Sequence, residues 1–326
     1  MINNSFTCII PTLTKDYTET HDHLFDLFDM FTISKLVIIG PEKLRSIVEN
    51  DASARGISNK VEFINGNDII PFESVQAAYD NRLNELTESG IIQNDPSSAG
   101  WYYQQFIKIA YSNICETDYY LCWDADTIPL RKTDMFNENG EPYLDLKTEY
   151  IPSYFKTIRN LFGFGKMIEK SFISGHMLFN KKYIYEMIDD IMSTDFRGTT
   201  FYEKIFSAMD EMNHGFSEFE TYGNWIAVKR PGSHRLRNRH LLRNASLLIK
   251  RTDLTKEDLE WLATGFEVAG FERYQDPIPE LTELFRSPKY RQKMTSDVFY
   301  NTLLESGILG EYKNGGLIVG DIICPA

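Results

Sequence analysis

What this 326-residue chain lacks narrows its class before any motif is weighed. Cysteine is scarce, and the four present, Cys8, Cys115, Cys122 and Cys324, form no CxxC pair and no zinc spacing. That argues against a disulfide-stapled scaffold or a zinc module and reads as reduced, mostly buried thiols in a cytoplasmic protein. Nowhere do eighteen apolar residues run together, so no membrane-spanning helix is expected. Met1 to Leu13 has no basic stretch followed by a long apolar one, the mark of a secretion signal. Positive charge is short as well. The net charge of -13 at pH 7 argues against general nucleic-acid binding, which needs a surface that neutralises phosphates, and leaves only a local basic patch for an anionic ligand. The 42% hydrophobic content is enough for one large α/β core, or a core with a smaller appended region.

Strand and helix patterns alternate along the first half. Phe6 to Ile10 is a short apolar strand stopped by Pro11, and Leu24, Phe25, Phe28 and Phe31 follow at helical spacing. Lys35 to Ile39 is a second strand, ended by Gly40-Pro41, which opens a helix through Val48. Lys60 to Ile64 is a third strand, and Ser74 to Leu86 a further helix. The segment from Trp101 predicts a helix whose face Tyr103, Ile107, Ala110 and Ile114 packs on a sheet. This order predicts a mostly parallel sheet covered on both faces, with ligands at the carboxyl ends of its strands.

At one such end stands Tyr119-Tyr-Leu-Cys-Trp-Asp-Ala-Asp-Thr-Ile-Pro-Leu130, an apolar run closed by Asp124 and Asp126. If the strand continues, alternate residues share a face and both carboxylates point one way. Paired buried carboxylates are costly without a cation, and oxygen ligands suit Mn²⁺ or Mg²⁺, with substrate phosphates completing the shell. The plainer alternative is a turn in which Asp126 caps the bend Thr127-Ile128-Pro129.

Taken with Gly100-Trp101-Tyr-Tyr-Gln-Gln, Ser174-Gly-His-Met177 and Ser217-Glu-Phe-Glu-Thr-Tyr-Gly223, the Asp-x-Asp resembles the glycosyltransferases of the GT-A fold, in particular a bacterial group associated with surface-polysaccharide synthesis. The likeness covers roughly residues 5 to 230. It implies a Rossmann-like sheet with a nucleotide-sugar domain over 1–230, while the composition and helix patterns of 231–326 predict a basic loop and a mainly helical extension. It also implies a nucleotide-sugar donor, UDP-linked by preference, a saccharide or lipid-linked saccharide acceptor, and a cytoplasmic location with contact allowed at the inner face of the membrane. By the same resemblance Asp126 binds the metal, Asp124 contacts the ribose or a metal-bound water, and Pro11, Thr12 and Tyr17 lie near the nucleotide base. Two other classes fit part of the pattern. A haloacid-dehalogenase-type phosphatase would use Asp124 as a covalent nucleophile, although about 110 residues of strand-helix pattern precede this strand, which in those enzymes opens the domain. A sugar-binding protein would use the aromatics without turnover.

The remaining candidates have two faces each. Glu218 and Glu220 share a face if extended, and Glu218 is the expected general base for an inverting transfer; on a helix start, Ser217 and Glu220 would instead form a capping box. His176, beside Gly175, is either a sugar contact or a satisfied histidine inside a sheet. Gln105 and Lys108, on the helix that carries Gln104, count among the expected donor contacts. Between Lys229 and Arg243 lie Lys229, Arg230, Arg235, Arg237, Arg239 and Arg243, with His234 and His240 and no acidic residue. A loop gripping the diphosphate through Arg235 and Arg237, a patch for an anionic acceptor or lipid, and solvated charge all remain open. His234 is a candidate third metal ligand.

Overall fold

The computed structural model describes residues 6–91, 93–272 and 275–309, so Cys324 lies outside the described residues. A mixed α/β architecture is built on a five-stranded sheet with order β3-β2-β1-β4-β7. Its strands are β1 (Phe6–Pro11), β2 (Ile33–Gly40), β3 (Val61–Asn65), β4 (Tyr119–Trp123) and β7 (His176–Asn180). Between β4 and β7 come β5 (Thr127–Pro129) and β6 (Tyr143–Leu146), and β8 (Arg235–Asn238), β9 (Leu241–Leu242) and β10 (Val268–Gly270) follow. The first four sheet strands are parallel, and β7 runs antiparallel to β4.

The apolar runs in these strands are continuous because both faces are covered. Ile9, Val37, Ile39, Tyr120 and Cys122 pack into one core with helices Phe72–Glu88, Ala99–Ala110 and Glu218–Lys229. The alternating neighbours Cys8, Ile10, Leu36, Ile38 and Leu121 pack on the other face against helices Thr14–Leu24 and Arg45–Ala54. The three described cysteines are free and buried. No helix among the described residues is long and apolar enough to cross a membrane.

Residues past 230 do two things. Those after Leu241 form a third core with Ile128 and Leu130, around helices Lys256–Leu262, Pro279–Arg286 and Ser296–Glu305. Yet they are laced into the first part of the chain, because β8 pairs with β6 and β10 with β5. The expected division at 230 therefore does not coincide with a break in packing.

One expected helix face differs. Ala99–Ala110 gives way to a 3₁₀ turn, Tyr111–Asn113, and Ile114 ends 47% exposed. The tighter turn changes the angular step, so Ile114 rotates off the face the 3.6 period assigns it. Gln105 and Lys108 are buried in its place, at 3% each.

Candidate active site

The sheet order places a topological switch at β1 and β4: from β1 the chain moves to β2 on one side, and β4 is added on the other. Parallel strands that diverge in this way leave a crevice at their carboxyl ends, the usual ligand position in open α/β sheets. Pro11 and Thr12 stand on one side of it and Asp124 on the other. Asp124 extends the sheet by one bond, its N–H donating to the Gly175 carbonyl at 2.8 Å. The chain then turns, with Thr127 N–H donating to the Asp124 carbonyl at 3.0 Å and the Trp123 indole to the Thr127 carbonyl at 2.8 Å. Asp124 and Asp126 thus sit on a tight turn between β4 and β5, not on a continuing strand. The turn keeps them close enough to interact. Burial first, and the Asp124 charge second, push the half-buried Asp126 carboxyl up to about 6, against the pull of Arg243, Arg251 and Lys108.

Lys108 links this turn to the helix Glu218–Lys229. Its Nζ donates to Asp124 Oδ1 and to Glu218 Oε1, each at 2.5 Å, and lies 4.3 Å from the centre of the Phe219 ring. Two contacts of 2.5 Å to one nitrogen hold the two carboxylate oxygens within about 5 Å of each other. Burial alone would lower the lysine; the two carboxylates outweigh it and hold the ammonium above its ordinary range. Burial raises Glu218, with Lys108 opposing. Gln105 Oε1 accepts the Glu218 N–H at 3.2 Å, which fixes the start of that helix from inside. Glu218 is 4% exposed and closed behind Lys108, so in this arrangement it offers no surface to an acceptor hydroxyl.

The other expected site residues go elsewhere. Ser217 does cap its helix, accepting from Glu220 N–H at 3.3 Å, but the Glu220 side chain does not complete a capping box. It turns inward to accept from Ser171 Oγ at 2.6 Å, Phe172 N–H at 3.2 Å and Asn224 at 3.1 Å. Tyr17 is fully buried and donates to Asp51 at 3.0 Å, so its ring has no face for a base. His176 is 1% exposed, stacked on Trp123 at 5.0 Å and 3.0 Å from Asp145 Oδ2, which corrects the sugar-contact expectation in favour of a buried histidine.

His234 cannot complete a metal shell with Asp126 in this fold. It lies against Ser233 Oγ at 2.9 Å and the Tyr222 hydroxyl at 3.3 Å, and that hydroxyl accepts from Asn180 N–H. Asn180 pairs with Tyr119, the far end of β4 from Asp124, a separation of about 13 Å or more at 3.3 Å per residue. Burial lowers its ring to about 4.

The basic island is absorbed by the chain's own carboxylates. Arg235 forms a bidentate pair with Glu141 at 2.8 Å, Arg237 reaches Asp145 at 2.7 Å, and Arg239 reaches Asp145 at 3.1 Å and Glu267 at 2.7 Å. The register of β8 on β6 sets Arg237 beside Asp145, so the run is a sheet strand facing an acidic partner and not a loop of mutually repelling charges.

Four groups near the turn were not among the expected site residues. Arg243 is held by Glu149 at 3.0 Å and Glu272 at 2.8 Å. Glu272 is pushed up to about 8 by burial, with Arg243 opposing and Asp126 adding to the rise. Arg251 pairs with Glu19 at 2.9 Å. Only Arg243 carried a signal, as the last cation of the island; Glu149, Arg251 and Glu272 lie in segments without a motif.

Among the described residues no group of three or more His, Cys, Asp or Glu converges to hold an ion. Two carboxylates are nonetheless the share a protein commonly gives to Mg²⁺ or Mn²⁺ when phosphates complete the shell, and the raised Asp126 marks a carboxylate that gains from a nearby cation. The donor set fits such a group.

An α/β fold with a carboxylate pair at the switch point of its sheet defines a class of protein with a ligand crevice at its strand ends. Residues 4–280 match the model of a family described as a family of unknown function, DUF6492, and the chain belongs to that family. No curated protein matches it. Among solved structures it is similar to the apo form of mouse xyloside xylosyltransferase 1, at 14% identity and TM-score 0.40, covering 84% of this chain and 100% of that one. It is also similar to the galactosyltransferase LgtC in complex with donor and acceptor sugar analogs, at 13% identity and TM-score 0.42, covering 88% and 100%. A third is the glycosyltransferase GlyE of Streptococcus pneumoniae TIGR4, at 11% identity and TM-score 0.34, covering 94% and 64%.

Proposed function

We propose that this protein is a GT-A type glycosyltransferase that moves a sugar from a nucleotide sugar, UDP-linked by preference, to a saccharide or lipid-linked saccharide acceptor in polysaccharide or surface-glycan synthesis. The observation that carries the reading is the pair Asp124 and Asp126 on the turn after β4, across the switch-point crevice from Pro11 and Thr12. Mn²⁺ or Mg²⁺ held by these carboxylates would neutralise charge that builds on a departing diphosphate. Lys108 fixes the orientation of Asp124 and keeps its charge compensated before the cation arrives. Glu218 acts through Lys108, as a positioning residue. A buried carboxylate already bonded to an ammonium is a poor acceptor for a substrate proton, and its loss would misplace Asp124. The reaction belongs to the cytoplasm, where reduced Cys8, Cys115 and Cys122 are at home, with the acceptor reached in solution or at the inner face of the membrane.

The test is a panel of UDP-, GDP- and CMP-sugars with purified protein and Mn²⁺, reading nucleotide release with and without saccharide acceptors. One donor class should turn over, and a chelator should stop it. Absence of turnover for every panel member, with or without acceptor, would refute the reading.

A further inference from the structure

Arg251 carries an unexplained combination. Its side chain is 6% exposed, and among the described residues only Nη2 has a partner, Glu19 Oε2 at 2.9 Å. Its Nε and Nη1 groups are buried with no acceptor among those residues. Leaving guanidinium donors dry and unpaired is costly, so native structures rarely do it without a reason that lies outside the chain. The location supplies one. Glu19 belongs to the helix Thr14–Leu24, which starts just past the carboxyl end of β1 and packs against β5, the strand that begins one residue after Asp126. That helix opens without a side-chain cap, and Thr14 Oγ1 at its first position is likewise buried without a partner among the described residues.

We propose that Arg251 grips a phosphate of a nucleoside diphosphate bound in the β1–β4 crevice, with the Thr14 hydroxyl as a second donor. The inference rests on the nucleotide-sugar reading and adds the residue that holds the anion. A planar guanidinium with two donors in reserve matches a phosphate oxygen pair, and the Glu19 bond pre-sets its plane. Arg235 and Arg237, the cations expected to grip a diphosphate, are engaged by the chain's own carboxylates, and Arg239, which also has buried guanidinium nitrogens without a hydrogen bond, is held by two carboxylates, Asp145 and Glu267.

Calorimetric titration of the full chain with UDP and GDP in the presence of Mn²⁺ tests this, with uridine, guanosine, CMP, pyrophosphate and inorganic phosphate as separate arms. Arg251→Gln should weaken the diphosphate that binds by about 10- to 100-fold while leaving its nucleoside unchanged. Arg251→Lys keeps an ammonium for Glu19 but not the fork, so it should melt within about 2 °C of wild type and still lose most of that affinity. Glu19→Gln keeps an acceptor for Nη2 but removes the competing charge, and should leave diphosphate affinity intact or higher. Unchanged affinity in both Arg251 variants overturns the proposal, and so does a loss in Glu19→Gln as large as in Arg251→Gln, because the ion pair would then matter only as structure. Inorganic phosphate binding as tightly as any nucleotide, with the same dependence on Arg251, overturns the nucleotide assignment. Arg251-dependent UDP or GDP binding without turnover of any sugar nucleotide leaves the phosphate site standing and removes the transferase reading.

Discussion

Asp126→Asn should separate the two ways in which this carboxylate matters. In the folded chain its value is about 6, above the ordinary 3.8, with burial the first cause and Asp124 the second. Folding therefore disfavours the ionised form. The penalty is absent below about 3.8, grows between 3.8 and 6, and is fully present above about 6. The full difference corresponds to about 3 kcal/mol. Because Asp126 keeps partial solvent access and shares the effect with Asp124 and Glu272, about 1–2 kcal/mol is the expected gain on removing the charge. Asparagine preserves the shape and can still accept from Thr127 Oγ1, now 3.3 Å away. In the absence of divalent cation, thermal denaturation at pH 8 should show the variant melting about 2–5 °C above wild type, and at pH 4.5 the gap should close. Adding Mn²⁺ should raise the wild-type midpoint and leave the variant's unmoved, and donor turnover should fall by orders of magnitude. A variant destabilised to the same extent at every pH, or one that responds to Mn²⁺ as wild type does, would refute the reasoning.

Other substitutions probe the supporting structure. Lys108→Met should cost about 3–5 kcal/mol in urea unfolding, since it leaves Asp124 and the buried Glu218 uncompensated, and Glu218→Gln added to it should restore part of the loss. Glu218→Gln alone should lower kcat without moving the pH profile on the basic-catalyst limb; disappearance of that limb would return Glu218 to the role of base. Gly223→Ala should lower the melting temperature despite better helix propensity, because its Cβ would stand 2.3 Å from the Phe172 ring, an overpacking cost of about 1–3 kcal/mol. Arg235→Gln breaks an exposed pair with Glu141 and should change neither stability by more than about 1 kcal/mol nor nucleotide affinity in calorimetry.

The framework was readable from the sequence where local chemistry decides it. Apolar runs such as Phe6 to Ile10 and Lys35 to Ile39 announce strands buried on both faces, Gly40-Pro41 ends one, and Asp124 and Asp126 stop another at the edge where ligands bind. The turn that carries the two aspartates was one of two readings the local residues left open, whereas the antiparallel β7 and the third core depend on which strands meet, and no local pattern encodes that. The same holds for charge. A run of arginines without acids looks like an anion grip until β8 is laid on β6 and Arg237 meets Asp145. Lys108 reads as a contact to the donor until the helix Glu218–Lys229 closes over it. Arg251, with no motif around it, gains meaning only because the fold buries it against Glu19 with donors unmet. Sequence fixes which side chains can ionise and where the chain must bury itself. Tertiary packing determines their partners, because pairing and desolvation are set by neighbours that lie far apart along the chain.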